Sequence, residues 1–180
     1  MTGVQTCALR SINALLPAAL ALIPSAERPT VTHQAGRGSA DATRALYAEH
    51  GVSADVVEFI GDSARALAEC DVFMGRSGAS TVSELAALGV ASVLIPYPHH
   101  KDQQQQHNAQ VLVAVGAAEL LLQLGLTAER LAEHIKTLTR EGCLAMAQRA
   151  LIVANPKATA DICDVIESLA GRASAERVQS

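Results

Sequence analysis

The sequence is poor in aromatic residues and contains no tryptophan. Aromatic side chains make up 2% of its 180 residues, whereas hydrophobic residues together make up 49%. A core can therefore form, but it has to be built from alanine, leucine, valine and isoleucine. The length predicts one domain, or one domain with a tail.

Clustered basic residues and paired cysteines are also missing. The formal net charge is -4, and lysine and arginine are scattered along the chain, so we expect no nucleic-acid partner. The cysteines form no Cys-x-x-Cys pair, which predicts free thiols in a reducing compartment instead of a disulfide framework or a zinc site. They are Cys7, Cys70, Cys143 and Cys163.

No apolar run in the sequence is long enough to span a bilayer. Residues 15–23 resemble the apolar part of a signal peptide, and residues 24–26 resemble a cleavage site. Pro17 interrupts this run, however, and Arg10 is the only early positive charge. We therefore expect an amphipathic helix here, in a cytoplasmic protein without a transmembrane segment.

The best-defined motif is the stretch from Gly75 to Leu85, with the sequence Gly-Arg-Ser-Gly-Ala-Ser-Thr-Val-Ser-Glu-Leu. Residues 71–74 before it predict a short buried strand. Residues 82–88 predict a helix that ends at Gly89, and residues 91–95 predict the next strand. This order is a βαβ unit. Its loop lies at the carboxyl end of a strand, where parallel sheets bind ligands.

The composition of this loop suits an anionic ligand. Gly75 and Gly78 allow the backbone to turn tightly and to approach a ligand, and the following helix directs its free N–H groups at the loop. Glu84, one turn into that helix, would repel a phosphate but would accept hydrogen bonds from a ribose diol. The alternative is a capping box, in which Thr81 caps the helix and Glu84 reaches back to the Thr81 amide.

The remaining predicted elements alternate between helix and strand. Ser63, Asp102 and Thr127 are predicted helix N-caps, with Gln105 at the capping-box position after Asp102. Such alternation is typical of the α/β class, so we predict a Rossmann-like parallel sheet with helices on both faces. The predicted helices span 12–23, 40–50, 63–69, 103–115, 128–140, 144–153 and 158–169, and the other strands span 29–34, 56–60 and 117–122.

A second polar cluster, His99 to Asn108, follows the strand at 91–95 and opens onto the same edge of the sheet. Its run of glutamines carries both donors and acceptors, which suits sugar hydroxyls. The alternative is a solvated helix start. A metal site at the histidines is disfavoured, because no carboxylate or cysteine lies at ligand spacing. These histidines are His99, His100 and His107.

The two clusters together resemble the MurG family of glycosyltransferases, which add N-acetylglucosamine to lipid I in peptidoglycan synthesis. The similarity extends in unbroken order from about Ile12 to Leu169, and the stretches 33–38 and 58–62 take part in it. It implies a GT-B fold, with two Rossmann-like domains around the active site. This chain would be the C-terminal, donor-binding half, at residues 12–170, with a tail at 171–180.

The resemblance also implies roles for individual residues. The backbone at Ile60 would meet the uracil, and Glu84 would hold the ribose hydroxyls. The residues expected beside the diphosphate and sugar are Ala79, Ser80, Thr81, Val82 and Ser83. The residues expected near the N-acetylglucosamine or next to the donor are Gln104, Gln105, Asn108 and Arg76. No residue of this chain is expected to be catalytic, and no metal ion or other cofactor is expected.

Two features depart from the family. Residues 1–11 do not match its phosphate loop, and the N-terminal domain that binds lipid I and is thought to supply the catalytic base is absent. We therefore expect a truncated, inactive donor-binding half. The complete family member would be cytoplasmic and peripheral on the inner face of the cell membrane. The alternatives are a donor-binding subunit of a two-chain transferase, or another GT-B enzyme such as a diacylglycerol glycosyltransferase.

Overall fold

The computed structural model describes residues 4–7, 10–99 and 102–178. Its strands are β1 (Val4–Cys7), β2 (Val31–Gln34), β3 (Asp55–Val57), β4 (Val72–Gly75), β5 (Ser92–Leu94) and β6 (Ala118–Leu120). Its helices are α1 (Arg10–Ala21), α2 (Ala40–Glu49), α3 (Ser63–Glu69), α4 (Ala79–Leu88), α5 (Gln104–Val113), α6 (Ala128–Thr137), α7 (Arg140–Ala150) and α8 (Ala158–Val178). A short 3-10 helix spans Ser25–Glu27.

The strands form one parallel sheet in the order β3-β2-β1-β4-β5-β6. Helices connect consecutive strands, as parallel pairing requires. This is the strand order of a dinucleotide-binding Rossmann domain, so the predicted fold class is confirmed.

Strand β1 is the largest departure from the sequence-based prediction, which found no pattern in residues 1–11. It lies in the centre of the sheet, where Val4 is opposite both Val31 of β2 and Val72 of β4. A four-residue strand of mixed polarity is too short to show a recognisable period. Residues 1–3 and 8–9 of the predicted unmatched start lie outside the described residues.

Helices cover both faces of the sheet, and β4 shows how the sequence provides for this. Val72 and Met74 belong to a core cluster with α1, α6 and α7, whereas Phe73 belongs to a cluster with α3, α4 and α5. All three side chains are at most 2% exposed. Alternate residues of a strand face opposite sides, so a strand covered on both faces needs an uninterrupted apolar run.

The helical C-terminal region is divided differently from the prediction. Thr127 caps α6 as expected, by accepting a hydrogen bond from the Arg130 N–H. The predicted continuation to residue 140 is wrong, because the Thr139 hydroxyl accepts from the Gly142 N–H and so starts α7. Helix α8 runs to Val178, beyond the predicted start of the tail at 171, and residues 179–180 are outside the described part.

Among the described residues, no helix combines the length and the apolar character needed to cross a membrane. The apolar residues 15–23 instead belong to α1 and the turn after it. Ile12, Leu16 and Leu20 of α1 are each 1% exposed, at the spacing of a helix face that packs against the sheet. The expected amphipathic helix is confirmed.

Candidate functional site

The candidate site lies at the carboxyl edge of the sheet, where the strand order reverses. The chain moves outward from β1 to β3 on one side and from β4 to β6 on the other. The crevice between the ends of β1 and β4 is therefore the topological switch point, where open α/β sheets bind ligands. The motif from Gly75 to Leu85 follows β4 and so begins at this crevice.

Helix α4 begins earlier than the sequence predicted. Its first residue is Ala79 and its N-cap is Gly78, so the alternative interpretation, a capping box of Thr81 and Glu84, is wrong. Gly78 has no side chain to accept from the first turn, and the first bond of the helix joins the Val82 N–H to the Gly78 carbonyl at 2.9 Å. The preceding N–H groups of the helix have no partner among the described residues and are available to an anion.

Polar side chains line the exposed side of the first turns of α4. Ser80, Ser83 and Glu84 are exposed, and Thr81 is half-buried. Ser80 and Glu84 are four residues apart and therefore neighbours on one helix face. The Val82 side chain is 6% exposed and packs in the core cluster of α4 and α5.

Two hydrogen bonds join this motif to α5. The Ser77 hydroxyl donates to the Gln105 carbonyl at 2.6 Å, and Asn108 Nδ2 donates to the Ser77 carbonyl at 3.2 Å. Gln105 Oε1 accepts from the Tyr97 N–H at 2.9 Å. The two predicted polar clusters are therefore adjacent. The Asn108 side chain holds the two clusters together, whereas the Gln105 side chain joins α5 to the loop after β5.

The start of α5 also differs from the prediction. Its N-cap is Gln103, with a left-handed φ of 48° and no side-chain capping bond, so Asp102 is not the cap and Gln105 is not in a capping box. A left-handed backbone costs a non-glycine residue about 1–2 kcal/mol. Gln104, the first helical residue, is exposed, and His99 and His107 are exposed beside it. His100 and Lys101 lie outside the described residues.

Ile60 lies in the loop after β3, because that strand ends at Val57 and not at residue 60 as predicted. Its N–H donates to Gln34 Oε1 at 3.0 Å. Glu58 in the same loop accepts from the Gly38 N–H at 2.7 Å. The loops after β2 and β3 are thus joined, and they form the side of the edge away from α4.

Arg76 is the first residue after β4 and is 9% exposed. Its Nη1 donates to the carbonyls of Ile95 (2.8 Å) and Pro96 (2.9 Å). Its Nη2 donates to Ser11 Oγ (3.1 Å) and Gln123 Oε1 (2.5 Å), and Ser11 Oγ also donates to Gln123 Oε1 at 3.2 Å. One guanidinium therefore connects the carboxyl ends of β4, β5 and β6 with the first turn of α1.

The electrostatics around Arg76 are unusual for a buried cation. Its Nε has no hydrogen-bond partner within the described part of the chain, and the guanidinium carbon lies 5.6 Å from the centre of the Tyr97 ring. Burial lowers the pKa of Arg76, and Tyr97 partly opposes this. In the same part of the chain, no group of three or more His, Cys, Asp or Glu side chains is arranged to hold a metal ion.

The comparison with protein families identifies the domain. The family described as the glycosyltransferase family 28 C-terminal domain matches residues 6–164. This chain belongs to that family. The match begins inside β1 and ends within α8, so it includes every element that surrounds the switch point.

Curated relatives of this family 28 domain are longer proteins. One from Aromatoleum aromaticum is 49% identical over 159 residues, which are 88% of this chain and 44% of that protein. One from Thiobacillus denitrificans is 46% identical over 160 residues, 89% of this chain and 44% of that protein. Both are named UDP-N-acetylglucosamine–N-acetylmuramyl-(pentapeptide) pyrophosphoryl-undecaprenol N-acetylglucosamine transferase. The chain spans less than half the length of these relatives.

Solved structures agree with this assignment. The crystal structure of Acinetobacter baumannii MurG matches with a TM-score of 0.85 and 34% identity, over 93% of this chain and 52% of that one. A calicheamicin glycosyltransferase matches with a TM-score of 0.61 and 20% identity, over 96% and 44%, which shows the fold alone. The predicted C-terminal half of a GT-B glycosyltransferase is confirmed.

The sequence analysis did not find a buried hydrogen-bond network around His33 in this family 28 domain. His33, in β2, is 0% exposed, and its ring bonds Tyr47 Oη through Nδ1 (2.9 Å) and Asn13 Oδ1 through Nε2 (3.0 Å). Asn13 Nδ2 donates to the Ala35 carbonyl at 2.9 Å. Desolvation lowers the pKa of His33 from 6.5 to about 4.

The sequence held a signal for His33 but not for the partners of Arg76. His33 alternates with Val31 along β2, so it shares the core face of that strand. Ser11 and Gln123 carry no comparable pattern, because they lie in a helix start and a loop that meet only in the folded chain.

Proposed function

We propose that this chain binds UDP-N-acetylglucosamine as the donor domain of a transferase that makes a lipid-linked peptidoglycan precursor. The main support for this proposal is the N-terminus of α4, which lies at the switch point without a side-chain cap, and Glu84, which is exposed on the same helix. Free N–H groups suit a diphosphate, and a carboxylate suits a ribose diol. The names of the relatives supply the sugar and the nucleotide.

The proposed contacts follow the geometry of the site. The first residues of α4, from Ala79 to Ser83, lie beside the diphosphate, through the free N–H groups of Ala79 to Thr81 and the hydroxyls of this segment. Gln104 and the free half of the Gln105 amide face the sugar, while Asn108 holds the loop. Because the Ile60 N–H already donates to Gln34, the Ile60 carbonyl is the backbone group that contacts the uracil. Arg76 supplies positive charge to the diphosphate.

We further propose that transfer requires an acceptor-binding domain besides this one. The relatives are more than twice as long as the matched region and are named for an undecaprenol-linked acceptor. Such an acceptor lies in a membrane, so the complete enzyme would work on the cytoplasmic membrane surface. In this arrangement the α4 N-terminus stabilises the departing diphosphate, without a metal ion.

The role of Glu84 can be tested by calorimetric titration with UDP and with 2′,3′-dideoxy-UDP. Hydrogen bonds to a charged group contribute about 1.5–3 kcal/mol, so Glu84→Ala should bind UDP about tenfold or more weakly. Dideoxy-UDP should bind both forms equally. Since Glu84 caps nothing, the melting temperature should not change.

The exposed Glu133 on α6 provides a matched control, because Glu133→Ala removes the same charge away from the edge. The ribose role is refuted if UDP and dideoxy-UDP lose equal affinity in Glu84→Ala. A wild-type chain that binds neither UDP nor UDP-N-acetylglucosamine would refute the proposed function itself.

The need for a second domain is tested by incubating the chain with UDP-N-acetylglucosamine and a lipid I analogue. We expect no transfer, since proton transfer from the acceptor hydroxyl contributes about 10²–10⁴-fold to such rates and the described part of this site offers no base placed for it. Adding a separately expressed N-terminal domain of a relative should restore turnover. Turnover by the chain alone would contradict the proposal.

A further inference from the structure

The positive charge of Arg76 is buried without a negative partner. The guanidinium bonds two backbone carbonyls, one hydroxyl and one amide oxygen, all of them neutral, through its two terminal nitrogens. No carboxylate pairs with it within the described part of the chain. A buried charge of this kind is costly unless something neutralises it.

Gln123 holds the Arg76 guanidinium in place through its side-chain amide oxygen. It lies in the loop after β6, and its Oε1 accepts from both Arg76 Nη2 (2.5 Å) and Ser11 Oγ (3.2 Å). It thereby joins the end of β4 to the first turn of α1, which are the two sides of the switch point. It also lines a cavity of about 220 Å³ with Tyr97.

We propose that Gln123 is a positioning residue that orients the Arg76 guanidinium without neutralising it, so that the charge remains available to the diphosphate of the donor. The proposal rests on the proposed function, because it requires a nucleoside diphosphate at the switch point. The neutral amide is the essential property. Its oxygen fixes Nη2 as well as a carboxylate would, but it leaves the net charge of the crevice positive.

A change of Gln123 to glutamate separates positioning from charge. The carboxylate of Gln123→Glu keeps the same length and accepts from the same two donors, and it adds an ion pair with Arg76. We therefore expect an unchanged or higher melting temperature, together with about tenfold weaker UDP binding. Gln123→Met removes the acceptor and should lower the melting temperature.

The experiment measures the affinity of wild type and both variants for UDP and for uridine, which lacks phosphate, at two salt concentrations. In Gln123→Glu we expect the loss to be confined to UDP and its affinity to depend less on salt. Gln148, exposed on α7, gives the control Gln148→Glu, which carries the same charge change and should bind both ligands like the wild type.

The outcomes distinguish this inference from the proposed function. If wild type binds UDP but Gln123→Glu binds it equally well, or loses uridine binding to the same extent, the positioning role is overturned while the proposed function stands. If wild type binds neither ligand, the proposed function is overturned and this inference falls with it. If Gln148→Glu weakens UDP binding as strongly as Gln123→Glu, general charge repulsion is the cause and the inference is wrong.

Discussion

His33 and Arg76 are both buried polar residues in the half of the sheet that faces the site, but their hydrogen-bond networks differ. His33 is part of a closed network of hydrogen-bond donors and acceptors. Because Asn13 Nδ2 donates to the Ala35 carbonyl, Asn13 Oδ1 accepts from His33 Nε2, and Nδ1 is left to accept from the Tyr47 hydroxyl. In this network every donor has an acceptor, and the imidazole of His33 is neutral.

Arg76 is part of an open network. It keeps a charge, an unpartnered Nε and only neutral acceptors within the described residues. The comparison teaches that burial alone does not indicate a site. A fully matched buried network stabilises the fold, whereas an unmatched charge at the switch point indicates a place for a ligand of opposite sign.

Breaking the closed network should have the largest effect on stability. His33→Ala leaves the Tyr47 hydroxyl and Asn13 Oδ1 without a partner and opens a cavity, at a total cost of about 4 kcal/mol in the free energy of unfolding. Urea unfolding followed by circular dichroism measures this. Equal unfolding midpoints for wild type and His33→Ala would show that the network contributes nothing.

The same network predicts a dependence of stability on pH. The pKa of His33 is about 4 in the folded chain, against 6.5 for a histidine exposed to water, so the unfolded chain binds the proton between these values. Neutral His33 therefore contributes about 3 kcal/mol to the free energy of unfolding. This contribution is complete above pH 6.5 and is lost as the pH falls towards 4. Urea unfolding from pH 7.5 to 4 measures it. His33→Gln, which does not titrate, should flatten the profile, and an equally steep profile in that variant would assign the effect to other groups.

Breaking the open network should mainly affect binding. Arg76→Met removes a buried unpaired charge but also leaves its four acceptors without that donor. Because these two effects oppose each other, the free energy of unfolding should change by less than about 2 kcal/mol. UDP affinity should fall about 10–100-fold, the equivalent of about 1.4–2.8 kcal/mol. Arg149, which donates to the Gly116 carbonyl from the surface, gives the control Arg149→Met. Titration calorimetry and thermal melting together measure the two effects. Unchanged UDP affinity would place the ligand elsewhere.

The smallest effect is expected where the two polar clusters meet. Ser77→Ala removes the bond to the Gln105 carbonyl and should lower the free energy of unfolding by about 1 kcal/mol. Because the start of α5 loosens, affinity for UDP-N-acetylglucosamine should fall more than affinity for UDP. Parallel titrations with the two ligands measure this difference. Equal changes would show that α5 does not face the sugar.

Much of the fold could be predicted from local patterns. Strands β2 to β6, the stop of α4 at Gly89 and the βαβ order are encoded in short apolar runs and single glycines. The helix starts were less predictable. At α4 and α5, Gly78 and Gln103 cap through backbone conformation alone, and a side-chain pattern such as the capping box gives no information about that.

The features of the candidate site also separate into those that local sequence determines and those that depend on tertiary packing. The sequence by itself determined the two polar clusters and their place after parallel strands, because side-chain chemistry and strand ends are local properties. Tertiary structure alone decided that β1 lies between β2 and β4, and that Ser11, Arg76 and Gln123 meet. These contacts join residues up to 112 positions apart, and only the packing of the sheet and its helices brings them within hydrogen-bond distance.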